Sequence, residues 1–360
     1  MTLEEIELLS DLTIVIPTYN RPLELKRSIE YWKNTPVKLI VVDGSETPNI
    51  WCARNHNIAY HHRYSKNTDP MLGLGSRLVF GSSLSKTKYS AVCGDDDFLT
   101  VTGLIQALKI LNLRSEINAV SGHTLTYARI GRKLSWYYKY HPKKNFTSLE
   151  GDSIAKKLLV KKSWFLTAVC RTNIWKEFLS ISYEEKPFSR VHHYANEWIM
   201  FKLSKAMFNS KYLEMVTHIR QDTIHGWNIA PVSSWRDFLC DPRNDIYVED
   251  ISQQLAKGFN LVTGPIHGDK NLQIARELIR IECCKNLTQN VPKSHLRFFR
   301  QVFGDLLFVL MPGLSIYSDR PRKLKYFLRD YGNSLSAVQK SELHMIEVLL
   351  LTSERDLIEL

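Results

Sequence analysis

The sequence has no long apolar run of the kind that crosses a membrane as a helix. Stretches such as Leu306–Met311 are far shorter than the about 20 residues that a bilayer-spanning helix requires. The first residues, Met1 to Glu5, are acidic and lack the basic and then apolar layout of a secretory signal. These absences predict a cytoplasmic protein.

Several cofactor and metal motifs are absent as well. The six cysteines are scattered without a Cys-x-x-Cys pair, which argues against a zinc site. No Gly-x-Gly-x-x-Gly follows the first predicted strand, and no Walker-type Gly-Lys-Ser/Thr loop occurs. The sequence therefore disfavours a dinucleotide-binding Rossmann site and a P-loop.

Positive charge is in excess. The 48 Lys and Arg residues outnumber the 37 Asp and Glu residues, which gives a formal net charge of +11. This balance favours anionic partners such as nucleotides, lipid-linked diphosphates, membrane surfaces or nucleic acid. Nucleic acid is the least favoured of these partners, because the basic residues do not gather on a recognisable nucleic-acid-binding motif.

Short β-branched runs alternate with helical patterns through the first half of the chain. This alternation predicts an α/β fold with a mainly parallel sheet and flanking helices. The predicted strands span 12–17, 37–42, 59–64, 89–93 and 119–127, and the predicted helices span 22–32, 71–86, 102–111 and 197–208.

The C-terminal part has a different pattern. The whole chain has 360 residues, which is long enough for a catalytic domain and a second module. Apolar residues recur at three- and four-residue spacing in 271–285 and 336–351, which predicts helices. We place a boundary at 230–240, between a domain at 1–235 and a helical extension at 236–360. This extension could serve packing, oligomerisation or contact with a membrane surface, the last because 295–310 and 320–325 combine basic and apolar residues.

Three consecutive carboxylates, Asp95, Asp96 and Asp97, follow the strand predicted at 89–93. Adjacent like charges repel one another, so a folded protein that groups them usually supplies a countercharge. Mg²⁺ and Mn²⁺ prefer oxygen ligands, and substrate phosphates can complete their coordination. The triplet therefore predicts a metal–phosphate site at the carboxyl edge of the sheet, with a solvated acidic turn as the alternative.

Three segments together resemble the inverting GT-A glycosyltransferases of family 2, which have a Rossmann-like fold. These segments are Thr13–Pro22, Val41–Ser45 and Cys93–Asp97, and the resemblance covers about residues 11–230. It implies a nucleotide-sugar donor, UDP-type favoured, with Mn²⁺ or Mg²⁺ as the cofactor. It also implies a glycan or lipid-linked acceptor, as in polysaccharide biosynthesis. Membrane contact by the C-terminal extension would place such an enzyme at the inner face of the membrane, whereas a buried helical subdomain is the alternative.

The resemblance implies roles for the triplet. Asp95 and Asp97 match the Asp-x-Asp metal ligands, with Asp97 the first choice for direct contact. Asp96 would contact the ribose or the donor sugar. A late histidine completes the metal shell in some relatives, and His225 is the better candidate over His218.

The resemblance also implies a nucleotide site. Asp43 matches the position that recognises the base, although an Asp-Gly pair equally forms turns. The other candidates surround the nucleotide: Pro17, Thr18 and Tyr19 with their backbone, Arg21 near the nucleotide, and Arg77 at the diphosphate unless it is an exposed helix residue.

An inverting displacement needs a base to deprotonate the acceptor hydroxyl. The segment from His192 to Trp198 resembles the one that carries this base in the family, and Glu197 is the candidate. Asn196 as a helix cap with Glu197 in the first turn is the structural alternative.

Other functions remain open. The same scaffold supports phosphosugar or nucleotidyl transfer and transfer with retention of configuration. A non-catalytic module that binds nucleotide sugar or glycan is a rival from a different class. The sequence supports this rival at Gly94, where many relatives have an aspartate.

Overall fold

The computed structural model describes 1–54, 57–64, 70–130, 133–140, 158, 167–183, 193–221, 245–264, 267–288, 324, 328 and 335–352. The predicted domain boundary at 230–240 lies outside these residues, as do His225 and the segment 295–310. The boundary and the proposed membrane contact therefore stay predictions.

The described strands form one nine-stranded sheet in the order β3-β2-β1-β4-β8-β6-β9-β5, with β7 paired to β6. The strands are β1 (Leu12–Thr18), β2 (Lys38–Asp43), β3 (Ile58–His62), β4 (Tyr89–Val92), β5 (Phe98–Leu99), β6 (Ala119–Ile130), β7 (Lys133–Tyr140), β8 (Val169–Arg171) and β9 (Ser210–Gln221).

Most strands of this sheet run in the same direction. β1 to β4 are parallel neighbours, and β6 is parallel to β9. β8 is antiparallel to both β4 and β6, so those two strands also point the same way. β5 and β7 are antiparallel to their partners. The predicted α/β fold with a mainly parallel sheet is confirmed.

Helices lie on both faces of the sheet. They are α1 (Leu3–Ser10), α2 (Pro22–Trp32), α3 (Pro70–Leu84), α4 (Val101–Leu113), α5 (Thr172–Ser182), α6 (His193–Met207), α7 (Asp245–Thr263), α8 (Gly268–Thr288) and α9 (Ala337–Leu351), with a 3₁₀ turn at Ile50–Arg54. Helix α2 begins at Pro22, as predicted, because a fixed φ and a missing N–H suit the first helical position.

One helix start differs from the prediction. Helix α6 already includes His193, so Asn196 is its fourth residue and Glu197 its fifth. An N-cap residue has non-helical backbone angles, and Asn196 therefore does not cap this helix. The capping interpretation of Asn196 was wrong.

The strand period of two places alternate side chains in two cores, one on each face of the sheet. In β1, Ile14 and Ile16 join the core beneath α1, α2, α4 and α9. Val15, between them, joins the core beneath α3, α5, α6, α7 and α8. Both faces are apolar, which explains why β1 reads as an uninterrupted hydrophobic run.

The described C-terminal helices, as predicted, follow the sheet and pack on its flanking layers. Phe259 of α7 and Leu203 of α6 share one core, and a β-carbon at Gly258 would lie 2.3 Å from Leu203 Cδ2. Leu343 and Ile346 of α9 belong to the opposite core. Within the described residues, no helix combines the length and apolarity needed to cross a bilayer.

Candidate functional site

The carboxyl ends of β1, β2 and β4 meet at one edge of the sheet. Thr18 ends β1, Asp43 ends β2, and the Asp95–Asp97 triplet follows β4. The parallel registers align Thr18 with Asp43 and Val15 with Val92. In open α/β sheets, ligands bind at this kind of edge.

Asp95 is buried beneath the end of β1, with 7% of its side chain exposed. Thr18 Oγ1 donates a hydrogen bond to Asp95 Oδ2 at 2.7 Å, and Arg21 Nη1 lies 3.4 Å from Asp95 Oδ1. The first carboxylate of the triplet therefore faces the loop after β1.

Asp96 shares the same arginine. Arg21 Nη1 lies 2.6 Å from Asp96 Oδ2, and Tyr127 Oη donates to the Asp96 backbone carbonyl at 2.7 Å. Arg21 is about one third exposed. It is thus a countercharge for two carboxylates at the rim of the site.

Burial disfavours the charged forms of these two carboxylates. Burial, together with the charge of Asp96, raises the pKa of Asp95 to about 7 despite the opposing effect of Arg21 and Thr18. Burial and the charge of Asp97 likewise raise the pKa of Asp96 to about 6. Arg21 therefore does not offset burial and the neighbouring carboxylates, and a further cation nearby would favour the charged forms.

Asp97 faces away from Arg21, toward the end of β9. The Gln221 backbone N–H donates to Asp97 Oδ1 at 3.1 Å, and His218 Nε2 lies 3.2 Å from Asp97 Oδ2. His218 is buried, and its Nδ1 lies 3.4 Å from Thr124 Oγ1. The structure thus brings His218 to the triplet. His225, the preferred candidate in the sequence, lies outside the described residues.

The residues around Gly94 fit a divalent cation. A β-carbon at Gly94 would lie 3.1 Å from Asp96 Oδ1 and 3.3 Å from Asp97 Oδ2, so its absence leaves a gap between the two carboxylates. Carboxylate oxygens and an imidazole nitrogen are donors that Mn²⁺ accepts. Among the residues that the structure describes, no group of three or more His, Cys, Asp or Glu side chains is arranged to hold a metal ion.

Asp43 is fully buried and accepts hydrogen bonds from every side. Its Oδ1 accepts from the Ser45 backbone N–H at 2.8 Å. Its Oδ2 accepts from Asn49 Nδ2 at 2.9 Å, from the Asn49 backbone N–H at 3.1 Å and from Tyr60 Oη at 2.7 Å. A carboxylate has about four lone-pair sites, two on each oxygen, so these contacts saturate Oδ2 and leave one acceptor site on Oδ1.

These hydrogen bonds stabilise Asp43 as an anion. Burial acts to raise its pKa, but the hydrogen bonds from Ser45, Tyr60 and Asn49 outweigh it and lower the pKa below its usual value. Asp43 therefore orders the loop at 44–49 from the inside. The sequence shows the Asp-Gly turn but not the distant Tyr60 that completes it.

A second set of contacts joins this loop to the end of β1. Asn20 has a φ of +53°, a left-handed conformation that asparagine tolerates better than most residues. Its backbone N–H donates to Ser45 Oγ at 2.8 Å, and its Oδ1 accepts from the Glu46 backbone N–H at 3.2 Å. The loops after β1 and β2 thus form one surface.

Arg77 lies between the two groups of carboxylates. It is 7% exposed, and a β-carbon at Gly44 would lie 2.5 Å from Arg77 Nη1. Burial lowers the pKa of Arg77, and the charges of Asp95 and Asp43 oppose that effect. The alternative of an exposed helix arginine is therefore excluded.

The remaining predicted residues are placed as follows. Pro17 and Thr18 are buried at the end of β1, and the partly exposed Tyr19 has its ring 5.7 Å from Arg77 Cζ. Glu197 lies in the second turn of α6. Helix α6 ends beside Asn118 at the amino edge of the sheet, where Asn118 Nδ2 donates to the Met207 carbonyl at 3.2 Å.

No protein-family model and no curated protein matches the chain. Among solved structures, residues 1–349 of S. aureus TarS align with a TM-score of 0.42 and 11% identity, over 76% of this chain and 88% of that one. The same fragment in complex with UDP gives 0.43 and 13%, and in complex with UDP-GlcNAc 0.40 and 12%, at the same coverage. Values this low do not assign an activity to this chain.

Proposed function

We propose that this protein is a metal-dependent glycosyltransferase that moves a sugar from a nucleoside diphosphate to a glycan or glycoconjugate acceptor. The observation that carries the proposal is the Asp95–Asp97 triplet, whose first residue is buried and which is paired on one side with Arg21 and on the other with His218. Such a site suits a substrate that brings both a divalent cation and phosphate oxygens.

Asp97 and His218 would hold the Mn²⁺ or Mg²⁺ ion, with Asp96 Oδ1 beside them. Asp95 is the first residue of the triplet and faces Thr18 and Arg21, so we assign it to ordering the loop rather than to the metal. When bound, the ion supplies Lewis-acid stabilisation of negative charge on the departing diphosphate.

The nucleotide would lie on the joined loops after β1 and β2. Tyr19 would line this surface, with the buried Pro17 and Thr18 beneath it, and a UDP-type donor is favoured by the sequence resemblance. Arg77 is buried against Gly44 within the field of Asp43 and Asp95. Its position beneath the loops suits a cation that orients the phosphates.

The reaction would be a direct displacement at the anomeric carbon. The acceptor oxygen forms a bond to that carbon, the bond from carbon to the diphosphate oxygen breaks, and the nucleoside diphosphate leaves with the electron pair. The hydroxyl proton passes to a carboxylate, which we propose to be Glu197. One displacement inverts the configuration.

The non-catalytic binding module has one observation in its favour. Arg21 already lies within ion-pair distance of Asp95 and Asp96, so the triplet has a countercharge of its own. In such a module, nucleotide sugar would bind without metal and without turnover.

A nucleotide screen tests the proposal. We expect UDP or a UDP-sugar to raise the melting temperature in the presence of Mn²⁺ and far less in the presence of EDTA. A ligand at 100 times its Kd stabilises the native state by about 2.7 kcal/mol, which a thermal shift detects. A shift that is equal with EDTA favours the binding module, and no shift with any nucleotide contradicts the proposed function.

Asp43→Asn should weaken the binding of several nucleoside diphosphates by a similar factor, without changing the order of their affinities. The amide would turn an N–H toward Ser45, Asn49 or Tyr60, and an unsatisfied buried donor costs about 1–3 kcal/mol. The 44–49 loop would loosen, although the base itself does not meet the buried carboxylate. Calorimetric Kd values for uridine, adenosine and guanosine diphosphates provide the measurement.

Tyr60→Phe is the matched control for that change. It removes one hydrogen bond from Asp43 at 2.7 Å and leaves the carboxylate in place, so it should give a smaller loss of the same kind. A change of base preference in Asp43→Asn, but not in Tyr60→Phe, would show instead that Asp43 contacts the base.

A further inference from the structure

A carboxylate from the C-terminal part of the chain reaches the start of α4. Glu342 of α9 is 8% exposed. Its Oε1 accepts from the Val101 backbone N–H and from Tyr31 Oη, the latter at 2.7 Å. Its Oε2 accepts from Thr102 Oγ1 at 2.7 Å and from the Thr102 backbone N–H at 3.4 Å.

This carboxylate complements the local cap of α4. The first N–H groups of a helix have no partner within the helix, and the helix dipole favours negative charge there. Thr100 Oγ1 accepts from the Gly103 backbone N–H at 3.2 Å, which is the third helical position. Glu342 supplies acceptors for the first two positions, Val101 and Thr102, from a sequence separation of 241 and 240 residues.

Strand β5 connects the Glu342 contacts to Asp97, the third carboxylate of the triplet. Phe98 and Leu99 follow Asp97 directly, and Val101 begins α4 two residues later. Tyr31 lies against both residues of β5: its ring packs edge-on against Phe98 with centroids 5.2 Å apart, and its Oη lies 2.9 Å from the Leu99 carbonyl.

Strand β5 also sets the distance between Asp97 and His218. Leu99 is paired with His218 in the antiparallel ladder, and the Thr100 backbone N–H donates to the Thr217 carbonyl at 3.0 Å. A shift of β5 along β9 would therefore move Asp97 relative to His218.

We propose that Glu342 is a positioning residue for the Asp95–Asp97 loop, so that docking of α9 sets the geometry of the site's cation ligands. Glu342 acts through Val101, Tyr31 and β5, and does not touch the substrate. The inference rests on the proposed function for its metal readout, whereas its effect on the loop can be measured without any ligand.

The first test is amide hydrogen exchange of the full chain without ligand. Glu342→Ala should raise exchange in the peptide that covers 93–100, because loss of the acceptor for the Val101 and Thr102 N–H groups would loosen the start of α4 and, through β5, the Asp95–Asp97 loop. Glu347→Gln, on the same helix with its carboxylate 3.8 Å from His344, is the control and should leave that peptide unchanged. Unchanged exchange in Glu342→Ala overturns the proposal, whatever the protein binds.

The second test is the Mn²⁺ dependence of UDP binding, measured by calorimetry well below the melting temperature. Glu342→Ala should raise the half-saturating Mn²⁺ concentration about 10-fold, in the range seen when groups that orient metal ligands are removed. Glu342→Gln should rescue part of this loss, since its amide oxygen can still accept from Val101. Binding of uridine, which has no phosphates, should not change.

Tyr31→Phe provides a second variant in case Glu342→Ala does not fold. It removes the hydroxyl between Leu99 and Glu342 and keeps the packed ring, so it should also raise the Mn²⁺ requirement. Equal weakening of uridine and UDP, or an unchanged Mn²⁺ requirement in both variants, overturns the proposal. Failure of wild-type protein to bind any nucleotide refutes the proposed function, and the exchange result then decides on the loop.

Discussion

Asp97→Asn is expected to abolish Mn²⁺-dependent nucleotide binding while the protein stays folded. The substitution keeps the shape of the side chain, and its amide oxygen can still accept the Gln221 N–H that lies 3.1 Å from Asp97 Oδ1. It removes a negative charge. In the wild type, that charge faces both His218 and the gap beside Gly94. Groups that only orient metal ligands contribute about 10–100-fold to metal affinity, so loss of a direct ligand should cost at least about 100-fold.

The measurement is a calorimetric titration of wild type and variant with UDP at a fixed Mn²⁺ concentration. Asp269→Asn, an exposed position in the first turn of α8, makes the same chemical change outside the triplet and should bind like wild type. Equal Mn²⁺-dependent affinity in Asp97→Asn and wild type would remove the triplet's third residue from the metal site.

Glu197→Gln is expected to give the opposite result, with donor binding kept and transfer lost. An amide cannot take the proton of the acceptor hydroxyl, and general-base catalysis contributes about 10²–10⁴-fold to rate. Helix α6 ends beside Asn118 at the amino edge of the sheet. Glu197, the fifth of its 15 residues, lies in the half of the helix farther from that contact.

Two assays separate the roles. Nucleotide affinity should match wild type in the thermal shift, whereas release of nucleoside diphosphate with a competent acceptor should fall by the stated factor. Glu214→Gln, at an exposed position of β9, is the matched control and should transfer normally. Undiminished transfer by Glu197→Gln would exclude this residue as the base and favour a retaining or phosphosugar transferase.

Local sequence patterns predict much of the fold. The β-branched run at 12–17, the Pro22 helix start and the apolar spacing at 336–351 depend on the period of each element and on residues next to it. The structure has β1 at Leu12–Thr18, α2 at Pro22–Trp32 and α9 at Ala337–Leu351. The start of α6 was predicted less well: the sequence interpretation began the helix at Glu197, whereas it begins at His193, four residues earlier.

The candidate site was predictable as a place on the sheet. Strands that end in Thr18, Asp43 and the Asp95–Asp97 triplet bring those residues to one edge whenever the strands are parallel. The three adjacent carboxylates of the triplet also predict that positive charge lies nearby. These conclusions follow from chain order and charge alone, without knowledge of any side-chain direction.

The contacts within that site depended on the tertiary structure. His218 meets Asp97 because β5 pairs with β9 in one particular register, and a shift by one residue would turn the histidine to the other face. Asp43 is enclosed because Tyr60 of the neighbouring strand closes over it.

Glu342 shows the same limit at the longest range. By itself, the sequence determined the elements, their order and the edge where carboxylates gather, because periodicity, turn residues and charge act between near neighbours. The tertiary structure decided which histidine meets the triplet, which aspartate is enclosed, and that a C-terminal glutamate caps the helix after the site. Those outcomes depend on register and burial: His218 and Glu342 meet partners 121 and 240 positions away, and Asp43 is enclosed by Tyr60 from the neighbouring strand, 17 positions away.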